Sequence, residues 1–466
     1  MRTSHAFGLL FGTASIIGSV AALASGCGST QRASIIDDGT SGNGGDDGGS
    51  GQFGQADGAP TKACTGLQCQ QKTCSGGLTT TVTGKVYAPN GTLPLYNAIV
   101  YVPNSEPAPL TKGATCDKCG AVTGDPIVTA ITDPEGKFEL KDVPVGKDIP
   151  LVIQIGKWRR QVKLPEVKEC TENAVTDKEL TRLPKTQAEG DMPQIALTTG
   201  TCDQLGCMLP KIGIAPSEIG SETDGPSKAV HVYKGSGSGP AAATQAQDFW
   251  NNVGKLKQYD MAILSCECSE HLENKGGGMG GPAFAAMQEY LEAGGRIFTT
   301  DYMYTWYRYS PNADMRSVFN GRWNAPGGGT SLKVDTSFPK GQALADWLQK
   351  SAGLASGTTV TPSVVYGNFI SHDATKSQLW ATANTATEPR VVSVNVPVGL
   401  PADQQCGKAV HIDAHANNSS DQVGPSYPST CASKLLEGEN LLAFFFFDLA
   451  SCIQAEGEPP KPPPVK

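Results

Sequence analysis

The period of apolar positions changes along this chain. Between residues 63 and 185 the apolar and β-branched residues fall in short runs: Thr79 to Tyr87, Tyr96 to Val102, Ile127 to Leu140, Asp148 to Ile155 and Trp158 to Val167. Pro89-Asn90-Gly91 punctuates the first interval, and Asp133-Pro134-Glu135-Gly136 breaks the third run as a tight turn. Short strands at this spacing predict an antiparallel β-sandwich.

From residue 186 to 457 the pattern becomes strand, helix, strand. Met261 to Leu264 is an unbroken apolar run, as in a strand buried on both faces. A glycine-rich loop, Gly276 to Gly281, follows, and then Pro282 at a first helical position. Phe284, Met287 and Leu291 share one helical face, Gly294-Gly295 ends the helix, and Arg296 to Thr300 reads as the next strand. This order predicts a parallel pair with a right-handed crossover. Further strands are expected at Pro193 to Thr198, Ala229 to Tyr233 and Ala409 to Ile412. Helices are expected at Cys202 to Ile212, Ala241 to Leu256 and Leu441 to Ile453, although Phe444 to Phe447 alone would also suit a strand. An aromatic-rich insertion, residues 305 to 407, interrupts the pattern. It suits a lid over the strand ends or a structural addition, with a helix at Gln342 to Ser351 and strands at Thr358 to Val365 and Arg390 to Val396. The fold class expected is multidomain: an N-terminal antiparallel β-sandwich, then a three-layer α/β domain with a mostly parallel sheet.

The ends of the chain have no core pattern. Ala6 to Leu23 is apolar and rich in small residues, and Ala24-Ser25-Gly26-Cys27 follows. Small residues before a cysteine mark a processing site. Residues 1 to 27 resemble a bacterial lipoprotein signal, in which Cys27 would be lipidated, with Leu23 one place earlier than usual. Gly28 after that cysteine implies, by the same resemblance, the outer membrane or cell surface. Residues 28 to 62 are rich in Gly, Ser and Asp and read as a flexible tether. Residues 458 to 466 form a Pro-rich tail.

Composition narrows the function. The formal net charge is -8 without a basic run, which argues against nucleic acid. Fourteen cysteines are present, and the thirteen besides Cys27 suit an oxidising exported compartment. Cys116 and Cys119 form a CxxC read as disulfide staples. Cys406 and Cys431 bracket His415 and are expected to bridge each other. Cys266-Glu267-Cys268, with Glu270 and His271, is open to two readings. A thiolate at a strand end, or Cys-x-Cys-x-x-His, suits nucleophilic or zinc chemistry. In an oxidising compartment both cysteines instead read as disulfide partners, one of them to Cys202 or Cys207.

In open parallel sheets, ligands bind beyond the carboxyl ends of the strands. Asp301 and Tyr302 lie there, followed by Tyr304 and Trp306. His411, Asp413 and His415 alternate along the late strand. With Asp301 and His372-Asp373 they suit either a divalent-metal site or a hydrogen-bonded polar cluster; the second is expected, without metal or cofactor.

Two family resemblances add expectations. VTGKVYAPNGTLPLYNAIVYVPN and ITDPEGKFELKDVPVGKDIPLVIQIGKWRRQVKL resemble the carboxypeptidase regulatory-like domain, a transthyretin-like accessory sandwich without catalytic residues. YDMAILS, AFAAMQEYLEAGGRIFTTDY and AVHIDAHA resemble the class I glutamine amidotransferase-like superfamily, which is flavodoxin-like. Its catalytic members carry a cysteine at a sharp elbow. Thr300-Asp301-Tyr302-Met303-Tyr304 has no cysteine or serine there, and Tyr302 stands at the nucleophile's place. The resemblance therefore implies a non-catalytic relative with no catalytic residues. Asp301, Tyr302, Tyr304, Trp306, Asp413 and His415 would bind a ligand, an envelope glycan or peptide given the location. The membrane partner would be reached through the N-terminal lipid. The alternative is an exported metal- or thiol-dependent hydrolase acting at the strand ends.

Overall fold

The computed structural model describes residues 64–116, 122–322, 328–385, 387–416, 421 and 423–465. Cys27, the tether and Cys119 lie outside them.

The N-terminal part contains β1 (Thr81–Lys85), β2 (Ile99–Pro103), β3 (Pro126–Ile131), β4 (Lys137–Lys141), β5 (Gly146–Ile155), β6 (Trp158–Val167) and β7 (Glu172–Val175). They make two sheets, ordered β3-β2-β5-β6 and β4-β1-β7. All pairs are antiparallel except β1 with β7. Lys137 to Lys141 alternates exposed and buried, so Phe138 and Leu140 point inward, as the period of two requires.

The second part contributes β8 (Ile195–Thr198), β9 (Ile219–Gly220), β10 (Val230–Tyr233), β11 (Met261–Leu264) and β12 (Arg296–Thr300). The insertion adds β13 (Asn320–Gly321), β14 (Leu332–Val334), β15 (Thr359–Val360), β16 (Val364–Val365), β17 (Phe369–Ser371), β18 (Gln378–Ala383) and β19 (Pro389–Val396). The chain returns through β20 (Gly407–Ile412) and β21 (Ala414–His415). One ten-stranded sheet results, ordered β15-β14-β18-β19-β20-β12-β11-β8-β10-β9. The β20-to-β9 side is parallel, whereas every pair from β15 to β20 is antiparallel. The sheet is therefore mixed rather than mostly parallel. The insertion is not only a cover, because it extends the sheet by four strands.

Both faces of the sheet are dry. On β12, Ile297 packs with Phe284, Met287 and Leu291 of helix Pro282–Glu292, while Phe298 faces the opposite core. That opposite core is shared with the sandwich. Helix Glu437–Ala450 is apolar nearly all round, the mark of a helix buried on every side. Its Phe446 and Phe447 lie 5.8 and 5.7 Å from Trp158 of the sandwich, and Phe445 lies 4.9 Å from Trp380 of the sheet. Two expected helices are shorter than the pattern suggested. Ala241 to Leu256 divides into Ala246–Trp250 and Val253–Leu256, because Asn252 leaves the helical conformation and caps the second piece through Lys255 N at 3.1 Å. Cys202 to Ile212 is helical only from Leu205 onward.

The buried helix carries charge. Asp448 pairs with Lys340 at 3.4 Å and with Lys408, and all three are buried. Burial pushes the Asp448 carboxyl up, but the two ammonium groups outweigh it and hold the pKa at about 2. A depressed folded pKa stabilises the fold above the unfolded value, near 3.9, and the contribution disappears as pH falls through 2. Stability should therefore drop between about pH 4 and 2, and Asp448→Asn should flatten that part of the profile in urea titrations. An unchanged acid slope in the variant would refute the assignment.

The cysteines pair as Cys64–Cys69, Cys74–Cys170, Cys116–Cys406, Cys202–Cys268 and Cys207–Cys431, and Cys452 is also disulfide-bonded. The expected Cys406–Cys431 bridge does not form. Cys406 precedes β20 at the edge facing the sandwich and joins Cys116, whereas Cys431 reaches Cys207. The sandwich-to-sheet packing decides the first of these bridges and the folding of the second part decides the other, and linear spacing records neither.

Candidate functional site

Three strand ends converge. β8 runs into Thr199-Gly200, β11 into Ser265-Cys266, and β12 into Thr300-Asp301. The loop after β8 lies directly on Cys266: a side chain at Gly200 would meet the Cys266 carbonyl oxygen at 1.9 Å. Only glycine permits this approach, and Cys202 N then donates to the same carbonyl at 3.3 Å.

Asp301 is the elbow. Its φ is 44°, left-handed, and the chain turns at once into the helical segment Asp301–Tyr304. A non-glycine residue in this conformation between a strand and a helix is held by its surroundings. The Asp301 carboxylate is fully buried. It faces His415 Nε2 at 3.0 Å, accepts from the Cys266 thiol at 3.2 Å, and accepts from Asn368 Nδ2. The elbow residue is thus Asp301, one position before the expected Tyr302.

His415 comes from β21, which pairs antiparallel with β16 of the insertion. The Tyr366 ring stands edge-on to the imidazole at 4.6 Å between ring centroids, with its hydroxyl 3.4 Å from Nδ1. Burial pulls the His415 pKa down, but the Asp301 hydrogen bond and the charges of Asp203, Asp301 and Asp413 outweigh it, so the imidazole is held toward its protonated form. Asp413 is fully buried, accepts from Phe369 N at 2.9 Å and lies 3.8 Å from Arg390. Burial, reinforced by Asp301, pushes its pKa to about 7. The Cys266 thiol is pushed up by burial and then by the neighbouring Asp301. A thiol so placed donates to a carboxylate and is a poor nucleophile.

Of the expected ligand-binding residues, the fold gathers Asp301, His415 and Asp413, with Tyr302 half-buried at their edge. Tyr304 and Trp306 do not form a rim. Tyr304 is buried with its hydroxyl on Glu270, and Trp306 packs at 5.4 Å against both Trp250 and Phe284. Helical turning past Asp301 carries their side chains beneath the strand ends and into the core. His411 also turns inward, to Thr299 at 3.0 Å, and burial lowers its pKa to about 3. His372 bonds Ser377, and Asp373 bonds Thr375 and Lys376. His271 pairs with Glu273, so the Cys-x-Cys-x-x-His arrangement does not assemble. Cys268 is bridged as one reading had it, but Cys266 is not: it is the free cysteine among the described residues.

Sequence reasoning missed Tyr366, Asn368 and Arg390. The first two sit in a short segment of the insertion with no periodic signal. Arg390 had one: a charged residue heading an otherwise apolar run. Among the described residues no helix is long and apolar enough to cross a membrane.

No protein-family model matches the chain, and no curated protein shows significant similarity to it. Two of the solved structures it resembles are interface mutants of a type II cohesin–X-dockerin complex from Acetivibrio cellulolyticus. The C-terminal mutant is 17% identical over 26% of this chain and 76% of that one, with a TM-score of 0.15. The N-terminal mutant is 15% identical over 32% and 88%, with a TM-score of 0.16. Scores this low carry no argument about fold or function.

Proposed function

We propose that this is an exported, lipid-anchored envelope protein that binds a ligand at the strand ends and performs no covalent catalysis there. In this reading residues 63–185 are a carboxypeptidase regulatory-like sandwich, and residues 186–457 are a degenerate amidotransferase-like domain. One observation carries it. The elbow, where acyl-transfer chemistry needs a thiol or hydroxyl, holds Asp301, and its carboxylate is already engaged by His415, Asn368 and Cys266.

An envelope glycan or peptide is the ligand class that the exported location favours. Soluble glycan fragments or short peptides should raise the melting temperature, because a ligand of the folded state stabilises it by mass action. Tyr302 is the half-buried aromatic at the edge of the cluster, and Tyr302→Ala should weaken binding about tenfold, roughly 1.4 kcal/mol. Glutaminase activity should be absent. A covalent intermediate on residues 300 to 304, or a glutaminase rate abolished by His415→Ala, would overturn this reading.

Cys266 supports a second reading. The Cys266 and His415 ligand atoms lie within 4.8 Å of each other, so a shift of the Asp301 carboxylate from between them would let the imidazole meet the thiol directly, the pair a thiol hydrolase needs. That reading requires hydrolysis of some substrate to vanish in Cys266→Ser; a rate that survives the change disposes of it.

Attachment is separately testable. Cys27→Ala should move the protein from the membrane fraction to the soluble one, since the lipid is the proposed anchor. Continued membrane fractionation would sink the lipoprotein reading.

A further inference from the structure

Cys266 has a second neighbour besides Asp301. The metal-ligating atoms of Cys202, Cys266 and His415 all lie within 4.8 Å of one another. Cys266 and His415 are buried, whereas Cys202 reaches solvent. At present Cys202 is bonded to Cys268, so its sulfur has no thiolate to offer. Two thiolates and an imidazole are the donor set of zinc, for which tetrahedral bonds place ligand atoms about 3.5–3.8 Å apart. The cluster would contract by about an ångström to reach that spacing.

The surroundings suit such a site. Asp301 Oδ2 is 3.2 Å from Cys266 Sγ and 3.0 Å from His415 Nε2, in position to be a fourth donor or to hold both ligands. Cys268 N donates to Cys266 Sγ at 3.4 Å, an N–H to sulfur bond that steadies a thiolate. Gly200 fixes the Cys202 loop against Cys266. A structural polar cluster would not need an unbridged cysteine beside a bridge, when the other cysteines among the described residues are disulfide-bonded.

We propose that this cluster is a redox-gated zinc site: closed while Cys202–Cys268 is bridged, and formed by Cys202, Cys266 and His415 once a dithiol opens that bridge. A dithiol gives two electrons and two protons to the Cys202–Cys268 bond, becoming a cyclic disulfide and leaving two thiols. Zinc then displaces the protons of the Cys202 and Cys266 thiols to solvent, with any proton on His415 leaving as well. Cys268 stays a free thiol. The proposal does not depend on the ligand-binding reading.

Cobalt reports the site directly, because thiolate-bound Co2+ gives a charge-transfer band and tetrahedral d–d bands. The full-length Cys268→Ser chain leaves Cys202 and Cys266 unbridged to Cys268. Under anaerobic conditions with a phosphine reductant, it should bind one equivalent of Co2+ with both spectral features, and Zn2+ should displace it. The oxidised wild-type chain should show neither feature, and C266S/C268S should lose the thiolate band. Dithiol-treated wild-type protein, with opened thiols located by alkylation and mass spectrometry, provides a second route if Cys268→Ser does not fold. It should show the same band once Cys202 and Cys268 are alkylatable. A missing band in that reduced wild-type protein would overturn the proposal, as would a band retained in C266S/C268S or already present in the oxidised chain.

Discussion

Trp306→Ala should destabilise the folded chain by about 3–5 kcal/mol, the cost of truncating a buried tryptophan. The indole is 3% exposed and lies edge-on to Trp250 and Phe284. Its Nε1 donates to Met303 Sδ at 3.3 Å, and the Lys275 ammonium sits 5.7 Å from the ring. Removing it would open a cavity beneath the elbow and weaken the hold on a residue kept at positive φ. Chemical denaturation should show a lower midpoint. If ligand affinity fell instead and stability stayed at the wild-type value, Trp306 would belong to the binding surface after all.

Lys211→Met should cost a similar amount, about 3–5 kcal/mol, for an electrostatic reason. Lys211 is buried, pairs with Glu439 at 2.7 Å and also binds Asp421. Burial already raises the Glu439 pKa, and Lys211 opposes that rise. Without the ammonium, two buried carboxylates face each other unpaired, so at least one must take up a proton or bring in water. The loss should be smaller in acid, where protonation is cheap. It should also shrink in the triple change Lys211→Met, Asp421→Asn, Glu439→Gln. A single variant as stable as wild type at neutral pH would mean the ion cluster contributes nothing net.

Much of the secondary structure was legible in sequence. The run Ile127 to Leu140, broken by its turn at Asp133 to Gly136, and the apolar run Met261 to Leu264 gave strands close to their observed places. Phe284, Met287 and Leu291 marked one helix face, and the helix expected at Leu441 to Ile453 is observed as Glu437–Ala450. These are local consequences of the periods of two and 3.6 residues. Asp301 and His415 could be nominated because strand ends are where a parallel sheet exposes its loops.

What the sequence determined by itself is therefore the kind of element at each place, and the positions where chemistry could sit. Only the tertiary structure decided which of those positions meet. Tyr304 and Trp306 looked like a rim because they follow the elbow, yet successive residues turn by about 120° in the 3-10 segment Asp301–Tyr304 and about 100° in the α-helical turn after it, which carried both into the core. Cys406 and Cys431 lay close in sequence, but packing of the sandwich on the sheet brought Cys116 to Cys406, and folding within the second part brought Cys207 to Cys431. Asn368 and Tyr366 entered the site because the insertion adds strands beside β20 and returns over the strand ends. Cys266 was left without a bridge because Cys202, whose loop Gly200 lets lie on the Cys266 backbone, is bonded to Cys268. Periodicity reports the partner a residue has along its own helix or strand. Contacts between distant segments depend on how the faces pack, and no short-range pattern encodes that.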